Sequence, residues 1–555
     1  MMRCALGIDF GTNSVRAVIV DLAGDQLACA VCAYPSGEEG VILSDTDPRL
    51  ARQNPADYHA CLVRVVKEAV SRAKKRRGFS AASIIGIGVD TTGSTPIPVD
   101  ERLVPLSFRR EFQGNLNALA WLWKDHTATA EAEEITETAR RIRPQYLSRI
   151  GGVYSSEWFF SKILRLARAD RKVFDRAASF VEFADYIPAL LTGVSSPSGV
   201  VRNICAAGHK ALYDERWNGL PDDEFLETLS PAFKGLRKRL YERAYPAGTR
   251  VGGLCHEWAK LLGLPEGIAV SAGAFDAHMG AVGAGVRPGV LVKILGTSSC
   301  DMTVAPKEAR LPDIPGVCGI VPDSIVPNFY GIEAGQSAVG DIFSWFLKRF
   351  LPRRSADPFR AYQQRAARMK PGQSGLLCLD WHNGNRCVLV DQKLTGATFG
   401  LTLSTRPEEM YRALIEATGF GARVIIERME EYGVSIDTLV AAGGIAEKNP
   451  LLLQIYADIT GREIRLSASP QTCALGAALF GAVAAGGYAS VEEGQRRLCR
   501  FKRTVYRPVE HHRRVYQRLY HLYRQVHDAF GTQSPPASLC SVMKELLAIQ
   551  EEASR

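Results

Sequence analysis

Residues 4–21 read CALGIDFGTNSVRAVIVD, two apolar runs on either side of the polar turn Gly11-Thr12-Asn13-Ser14. This pattern predicts a β-hairpin. Hydroxyl and backbone N–H groups in so tight a turn can surround a phosphate, although many such turns are ordinary hairpins. Asp9 has the carboxylate oxygens that Mg²⁺ prefers, and it could hold the ion directly or through water. Neither a Walker loop nor a G-x-G-x-x-G motif occurs in this stretch.

The same pattern returns at residues 293–304, KILGTSSCDMTV, where Gly296-Thr297-Ser298-Ser299 separates two strand-like runs. Two such hairpins, one in each half of the chain, predict a duplicated domain whose polar turns face each other across a cleft. Between them, an apolar stripe at helical spacing begins after Asn54-Pro55, and the buried strand 83–90 follows it. Strand, helix and strand in this order predict an α/β sheet.

The middle of the chain carries an isolated carboxylate in the segment 269–280, AVSAGAFDAHMG. We expect a short buried strand that ends at Gly273, then Asp276, then a helix of small residues. An aspartate at such a turn often serves only as the N-cap of the helix. The alternative is a catalytic group, because α/β sheets keep their sites at the carboxyl ends of their strands.

Three further stretches place polar or small residues at the ends of predicted elements. The strand 83–90 leads into the polar loop 91–95. Lys210 follows a run of small residues, although most lysines simply lie on the surface. Residues 439–450, LVAAGGIAEKNP, predict a strand, a double glycine and a new helix, and the glycines would let a flat ring or a ribose approach the backbone.

Size and composition narrow the class of protein. A chain of 555 residues is expected to form at least two domains. Its 46% hydrophobic and 23% charged residues are typical of globular proteins, and no apolar run reaches the roughly 18–20 residues that span a bilayer. The 13 cysteines are odd in number and irregularly spaced, which favours reduced thiols and a cytoplasmic protein.

The net charge of +9 is concentrated near the C-terminus. Between Arg496 and His527 there are ten Lys or Arg residues and one acidic residue, Glu510. Such a patch could bind nucleic acid. However, Tyr516, Leu519, Tyr523 and their neighbours form an apolar stripe at helical spacing, so we expect the solvated face of an amphipathic helix and consider nucleic acid an improbable partner.

Taken in order, these motifs resemble the FGGY family of carbohydrate kinases over roughly residues 3–490. The family has an α/β fold of duplicated actin/hexokinase-like (ribonuclease H-like) domains with a cleft between them. The resemblance implies an N-terminal domain at 1–285 on the sugar-binding side, with the catalytic aspartate at its end. It implies a nucleotide-binding C-terminal domain at 286–490, and we expect the basic helical extension at 491–555 to pack on this second domain.

The resemblance also implies a role for each motif. Residues 7–16 match the family's first phosphate motif, 296–298 its second and 442–444 its adenosine motif, while 273–278 match the segment with the catalytic aspartate. ATP and Mg²⁺ are the implied cofactors. Asp276 is the implied catalytic residue, and Asp9 (mostly through water) and Asp276 are the implied metal ligands. The implied nucleotide-binding residues are Gly11, Thr12, Asn13, Ser14, Gly296, Thr297, Ser298, Gly340, Gly443, Gly444 and Asn449.

Within the family, the nearest resemblance is to the ribulokinases. It rests on the motifs WKDH at 123–126, AGHK at 207–210, GIEAGQSAVGD at 331–341 and DWHNGNR at 380–386. The resemblance implies that Lys210, Asp276 and Glu333, with the backbone near Gly93, bind the hydroxyls of a ketopentose. The implied reaction is ATP-dependent phosphorylation of L-ribulose to its 5-phosphate, in the breakdown of L-arabinose and other pentoses.

Two other functions stay open at this point. Kinases for xylulose, D-ribulose, ribitol or glycerol would carry the same phosphate motifs, because such enzymes differ mainly in the residues that touch the sugar. A non-catalytic nucleotide-binding scaffold could share the fold, but the intact Asp276 and both intact turns favour an enzyme. The expected partners are the sugar and ATP, with no membrane, and we expect a homo-oligomer such as a dimer.

Overall fold

The computed structural model describes residues 2–351, 357–532 and 539–554. The strands are β1 Cys4–Phe10, β2 Ser14–Asp21, β3 Gln26–Ala33, β4 Arg52–Gln53, β5 Ile84–Thr91, β6 Pro96–Val99, β7 Ala120–Trp121, β8 Ser179–Glu182, β9 Arg250–Gly253, β10 Ala269–Ser271, β11 Ala274–Phe275, β12 Gly289–Leu295, β13 Ser299–Pro306, β14 Gly319–Pro322, β15 Phe329–Ala334, β16 Leu377–Leu379, β17 Ala397–Phe399, β18 Ile436–Ala442, β19 Glu463–Ser467 and β20 Phe501–Tyr506.

The α-helices of the same residues follow in chain order. They are α1 Pro55–Ala73, α2 Thr129–Ile142, α3 Phe159–Ala169, α4 Arg171–Arg176, α5 Phe183–Leu191, α6 Ile204–Lys210, α7 Asp223–Leu229, α8 His256–Leu262, α9 Asp276–Gly283, α10 Gly340–Arg349, α11 Pro358–Ala367, α12 Pro407–Glu431, α13 Gly444–Lys448, α14 Pro450–Thr460, α15 Thr472–Ala484, α16 Val491–Leu498, α17 Glu510–Gly531 and α18 Val542–Ser554. In the described part of the chain, no helix is both long enough and apolar enough to cross a membrane.

The first half of the chain is built on a mixed sheet with the strand order β3-β2-β1-β5-β10-β9, in which β11 also pairs with β5. β1 and β2 form the predicted hairpin, with Phe10 opposite Val15. β5 runs parallel to β1, and β10 runs parallel to β5. Every residue of β1 is buried, which explains why its sequence is apolar almost without interruption.

The second half repeats this arrangement in a sheet with the order β14-β15-β13-β12-β18-β19-β20. β12 and β13 form the second predicted hairpin, with Leu295 opposite Ser299. β18 is parallel to β12, and β19 is parallel to β18. The order β13-β12-β18-β19 therefore reproduces β2-β1-β5-β10, and the duplication predicted from the two polar turns is confirmed.

Two helices of small residues join the halves. α15 packs against α9 and also crosses β1 and β5 of the first sheet. A Cβ at Gly7 would lie 1.8 Å from the carbonyl oxygen of Ala474, and a Cβ at Gly283 would lie 2.0 Å from that of Thr472. Glycine is therefore required where these backbones approach. A helix from the second half thus covers the sheet that carries Asp9.

A separate apolar core lies in the first half and positions α6. Its buried members include Phe159, Phe225 and Phe233, but also Val321 of β14 in the second half. A Cβ at Gly208 would lie 2.2 Å from the Val321 side chain. The small residues before Lys210 therefore let α6 rest directly on the second half, and its last residue arrives at the boundary between the halves.

The basic C-terminal helix α17 is amphipathic, as predicted. Tyr516, Leu519, Tyr523 and Val526 of its stripe are buried, whereas Phe530, near its end, is 56% exposed. The Tyr523 hydroxyl donates to Oδ1 of Asp380 at 3.0 Å, and Nη2 of Arg412 donates to the Tyr516 hydroxyl at 2.9 Å. Both partners belong to the second half, so the charged residues of α17 occupy the opposite, solvated face.

Candidate active site

Three ionisable side chains lie in a row across the first sheet. Asp9 on β1 has Arg16 of β2 as its register partner on one side and Asp90 of β5 on the other. Nη1 of Arg16 donates to Oδ2 of Asp9 at 2.8 Å. Oδ1 of Asp9 is buried and has no hydrogen-bond partner among the described residues. The carboxylate predicted to bind a metal is therefore oriented through one oxygen, while the other stays available.

Asp276 lies at the same edge of the sheet. It is the first residue of α9 and directly follows β11, whose Ala274 is the register partner of Asp90. Phe275 occupies the N-cap position, so Asp276 does not act as the capping residue. Burial, and then the charge of Asp9, raise the pKa of Asp276 to about 7. A carboxylate that titrates near neutrality is well suited to accept a proton.

Asp90 is a residue to which the sequence analysis gave no role. It is 0% exposed, and neither of its carboxylate oxygens has a hydrogen-bond partner within the described chain. Burial, followed by the charges of Asp9 and Asp276, raises the pKa of Asp90 well above its usual value. The available signal was the one that identified Asp9, an aspartate at the end of a buried strand.

Lys210 and Glu333 meet between the two halves. Lys210 ends α6, Glu333 lies on β15, and the ammonium Nζ donates to Oε1 and Oε2 at 3.0 and 3.1 Å. Burial alone would lower the pKa of Lys210, but Glu333 outweighs it and holds that pKa above its usual value. Burial would raise the pKa of Glu333, but its neighbours, Lys210 foremost among them, hold it well below the usual value. Both groups are therefore charged.

Two buried histidines flank this pair. Nδ1 of His209 lies 3.3 Å and Nε2 of His278 lies 3.6 Å from Oε2 of Glu333. Burial lowers the pKa of His278 to about 4 and that of His209 well below its usual value, so both rings are neutral at pH 7. With Glu333 they offer three ligand atoms within 4.8 Å of one another. The ammonium of Lys210 already neutralises the carboxylate, which disfavours a metal ion at this position.

The loop after β5 is held by two buried charges. Glu182 accepts hydrogen bonds from the Ser94 hydroxyl and from the Thr95 backbone N–H, the latter at 2.8 Å. Nζ of Lys162 donates to the Ser94 carbonyl oxygen at 2.7 Å. A Cβ at Gly93 would lie 1.7 Å from the Phe275 ring, so this backbone packs against the residue that precedes Asp276.

The first predicted phosphate turn is closed by a hydrogen bond from Gly11 N to Ser14 O at 3.0 Å. Ser14 is buried and already belongs to β2, so the turn is one residue shorter than predicted. Oγ1 of Thr12 accepts from Nε1 of Trp123 at 3.0 Å, and Nδ2 of Asn13 donates to the Glu39 carbonyl oxygen at 2.7 Å. Both side chains therefore stabilise the shape of the turn.

The second phosphate turn is closed by a bond that spans one residue fewer, from Gly296 N to Ser298 O at 2.9 Å. Gly340, the first residue of α10, donates its N–H to Gly296 O at 3.1 Å, and Val339 donates to Thr297 O at 2.8 Å. Gly296 and Thr297 are exposed. The structure thus brings the beginning of α10 to this turn.

The double glycine lies next to the second turn. Gly443 has a positive φ of 93°, and a Cβ there would lie 2.5 Å from the Leu295 carbonyl oxygen at the end of β12. Gly444 begins α13, and a Cβ there would meet no atom of the described chain within 4 Å. Oδ1 of Asn449 accepts from Leu452 N at 3.0 Å and caps α14.

Sequence comparison assigns both halves to one family. Residues 4–283 match the N-terminal domain of the FGGY family of carbohydrate kinases, and residues 291–485 match its C-terminal domain. The chain belongs to this family. It is therefore a sugar kinase, and the predicted family is confirmed.

This FGGY kinase is 41% identical to a ribulokinase of Halalkalibacterium halodurans over 567 aligned residues, which cover 99% of the chain and 98% of the relative. It is 38% identical to a ribulokinase of Mycolicibacterium smegmatis, with 100% and 97% covered. These two relatives extend the similarity beyond the two matched family domains, over nearly the whole chain.

Solved structures of other sugar kinases share the fold. A xylulose kinase from Rhodospirillum rubrum is 24% identical, with a TM-score of 0.77 and coverage of 95% of this chain and 99% of that one. Plasmodium falciparum glycerol kinase with ADP is 16% identical, with a TM-score of 0.76 and coverage of 96% and 99%. The predicted two-domain α/β fold is confirmed, and at these identities the likeness concerns the fold alone.

The residues predicted for the site fall into two groups in this FGGY kinase. Asp9, Gly93 and Asp276 lie at or just after the carboxyl ends of β1, β5 and β11, with the turn Gly11–Ser14 beside Asp9, and Glu333 of the Lys210–Glu333 pair lies close enough to Asp276 to raise its pKa. The second turn, Gly340 and the double glycine lie together at the end of β12 in the second sheet. Cys300 follows the second turn, and burial first, then the charges of Glu333 and Asp276, raise its pKa against the opposing charge of Arg386. Sequence reasoning missed Asp90, His209 and His278.

Proposed function

We propose that this sugar kinase transfers the γ-phosphoryl group of ATP to the 5-hydroxyl of L-ribulose. The observation that carries the proposal is the buried Lys210–Glu333 pair beside Asp276. An ammonium donates hydrogen bonds and a carboxylate accepts them, so the pair can bind the neighbouring hydroxyls of a ketopentose. The ribulokinase relative that is 41% identical over nearly the whole chain supports this choice of sugar.

Asp276 is the proposed proton acceptor. Its carboxylate lies at the end of β11, beside Asp9 and within the electrostatic influence of Glu333. A sugar held by Lys210, Glu333 and the backbone at Gly93 would present its terminal hydroxyl to this carboxylate. Phosphoryl transfer has a loose transition state, so alignment and charge neutralisation supply most of the rate.

Asp9 and Asp276 have the chemistry to hold Mg²⁺. Their hard oxygens are the ligands that Mg²⁺ prefers, and Oδ1 of Asp9 is buried without a partner in the described chain. When bound, Mg²⁺ neutralises charge on the β- and γ-phosphates. Arg16 fixes the carboxylate of Asp9 through Oδ2, so this side chain is already oriented before a ligand arrives.

The nucleotide would lie along the second sheet. The turns Gly11–Ser14 and Gly296–Ser298 supply backbone N–H groups for the phosphates. The N-terminus of α10, at Gly340, would place the positive end of the helix dipole near the phosphates. Gly443 and Gly444 form the surface for the adenosine, where the open space above Gly444 allows close approach. Asn449 supports this surface as the cap of α14.

The proposed compartment is the cytoplasm, which the free thiols of the described cysteines support. A homodimer stays a prediction, and sedimentation equilibrium of the purified protein would test it.

Identification of the product tests the proposed function. Purified protein is incubated with L-ribulose, Mg²⁺ and ATP, and the sugar phosphate is analysed by ³¹P–¹H correlation NMR. We expect one product whose phosphorus couples to the two protons at C5. Coupling to the protons at C1 would contradict the proposed position of transfer, and the absence of any sugar phosphate would contradict the function itself.

A further inference from the structure

Asp90 is a buried carboxylate that the proposed mechanism does not use. It lies on β5, is 0% exposed, and has two oxygens without hydrogen-bond partners in the described residues. A buried carboxylate without a partner costs several kcal/mol, so native proteins pair such groups or place them on metal ions. The surroundings of Asp90 show which of these applies.

The nearest polar group is a second carboxylate. Asp9 is the register partner of Asp90 on the neighbouring parallel strand, and the two side chains are close enough to share a hydrogen bond. Arg16 contacts Asp9 from the far side and takes only Oδ2. The free Oδ1 of Asp9 and both oxygens of Asp90 are thus buried together. Two facing carboxylates require either a shared proton or a cation between them.

The charges around this point favour a divalent cation. Asp9, Asp90 and Asp276 carry three negative charges when ionised, and Arg16 carries one positive charge, which leaves a charge of −2. The Cys473 thiol at the beginning of α15 also lies near the three aspartates, and a thiol supplies no positive charge in either protonation state. A single Mg²⁺ would balance the site.

We propose that Asp90 is a third carboxylate of the magnesium site, binding the ion together with Asp9 and Asp276. This inference rests on the proposed function, because that function requires Mg²⁺. In this proposal Asp90, at the end of β5, binds the ion directly. If Asp90 instead shared a proton with Asp9, its role would be only structural.

Mn²⁺ binding distinguishes the two roles. The fraction of free Mn²⁺ is measured by electron paramagnetic resonance during titration of the full-length protein, with and without ADP and in the absence of sugar. For Asp90→Asn we expect affinity to fall by at least about 10–100-fold, because the loss of even an outer-shell partner of a metal ligand has an effect of this size. Asp185→Asn is the matched control, because Asp185 is also a buried aspartate of the first half, and it should bind Mn²⁺ like the wild type.

Affinity of Asp90→Asn within about twofold of the wild type would overturn the proposal, because asparagine can still hydrogen-bond to Asp9. Asp90→Ser is the second variant if Asp90→Asn does not fold. Melting temperatures give an independent measure: the increase that Mn²⁺ produces in the wild type should shrink in either variant. Neither measurement involves sugar or turnover, so a failure of the proposed sugar specificity would leave the result interpretable.

Discussion

The ammonium of Lys210 and the carboxylate of Glu333 lie 3.0 Å apart at the boundary between the two halves of the chain. Lys210 comes from α6 of the first half and Glu333 from β15 of the second half. Because each group is buried and each neutralises the other, the pair holds two strong hydrogen-bonding groups at the place where the halves meet. We consider this pair the centre of the sugar site.

Lys210→Met is therefore expected to raise the KM for the sugar more than the KM for ATP. It also leaves Glu333 buried without its ammonium, which should destabilise the fold by about 3–5 kcal/mol. Steady-state kinetics and denaturant unfolding measure the two effects. Arg412→Met is the matched control. Nε of Arg412 and Oε1 of Glu416 lie 2.8 Å apart in another buried ion pair, which is not part of the site. The control should lose stability and keep its sugar KM, and equal increases in both KM values for Lys210→Met would contradict a sugar-side role.

The raised pKa of Asp276 predicts a pH dependence. Only the ionised carboxylate accepts a proton, so at Mg²⁺–ATP concentrations far below its KM, kcat/KM for the sugar should rise as the pH increases through about 7. A bound cation favours the ionised form, so saturating Mg²⁺–ATP should move the inflection to lower pH. Profiles on both sides of neutrality, at low and saturating Mg²⁺–ATP, test this. If the pH of the inflection were the same at low and at saturating Mg²⁺–ATP, the titrating group would not be Asp276.

The conformation of the loop at Gly93 is stabilised by the hydrogen bond from Lys162 to the Ser94 carbonyl oxygen. Lys162→Met removes the donor to the Ser94 carbonyl oxygen and the ammonium that lowers the pKa of the buried Glu182. We expect a raised sugar KM and lower stability. The double variant Lys162→Met/Glu182→Gln removes the unpaired charge, so it should recover stability while the sugar KM stays high. Recovery of both properties would show that the loop geometry does not depend on Lys162.

Gly444 provides a test of the nucleotide surface. A Cβ there meets no atom of the described chain within 4 Å, so Gly444→Ala should fold normally. The methyl group would project into the space assigned to adenosine, and we expect the KM for ATP to rise about tenfold with the sugar KM unchanged. Gly248→Ala is the control, since its Cβ would make only an ordinary contact with Phe480 at 3.4 Å. An unchanged KM for ATP would place the nucleotide elsewhere.

Much of the fold could be predicted because its signals are local. The two hairpins follow from polar turns between apolar runs, and α17 follows from an apolar stripe at helical spacing. Boundaries were less accurate, since pairing with a neighbouring strand extends an element beyond its apolar residues. Ser14 joins β2 for this reason. Phe530 is exposed because it lies at the end of α17.

The site could be predicted only in part. Asp9 and Asp276 stand out at the ends of apolar segments, whereas Lys210 and Glu333 are 123 residues apart, and only the packing of α6 on β14 brings them together. Residue patterns alone gave Lys210 little weight, and its expected role came from the family resemblance. Asp90 carries the same local signal as Asp9, but the pairing of these two residues depends on the register of parallel strands that lie far apart in sequence.

The most direct test of the proposed activity is ATP consumption by the wild type and by Asp276→Asn, with Mg²⁺ and a panel of L-ribulose, D-ribulose, both xyluloses, ribitol, L-arabinitol and glycerol. We predict turnover that is highest with L-ribulose and that falls about 10²–10⁴-fold in Asp276→Asn while ATP still binds. A higher kcat/KM for another member of the panel, or near-wild-type turnover by Asp276→Asn, would contradict the account.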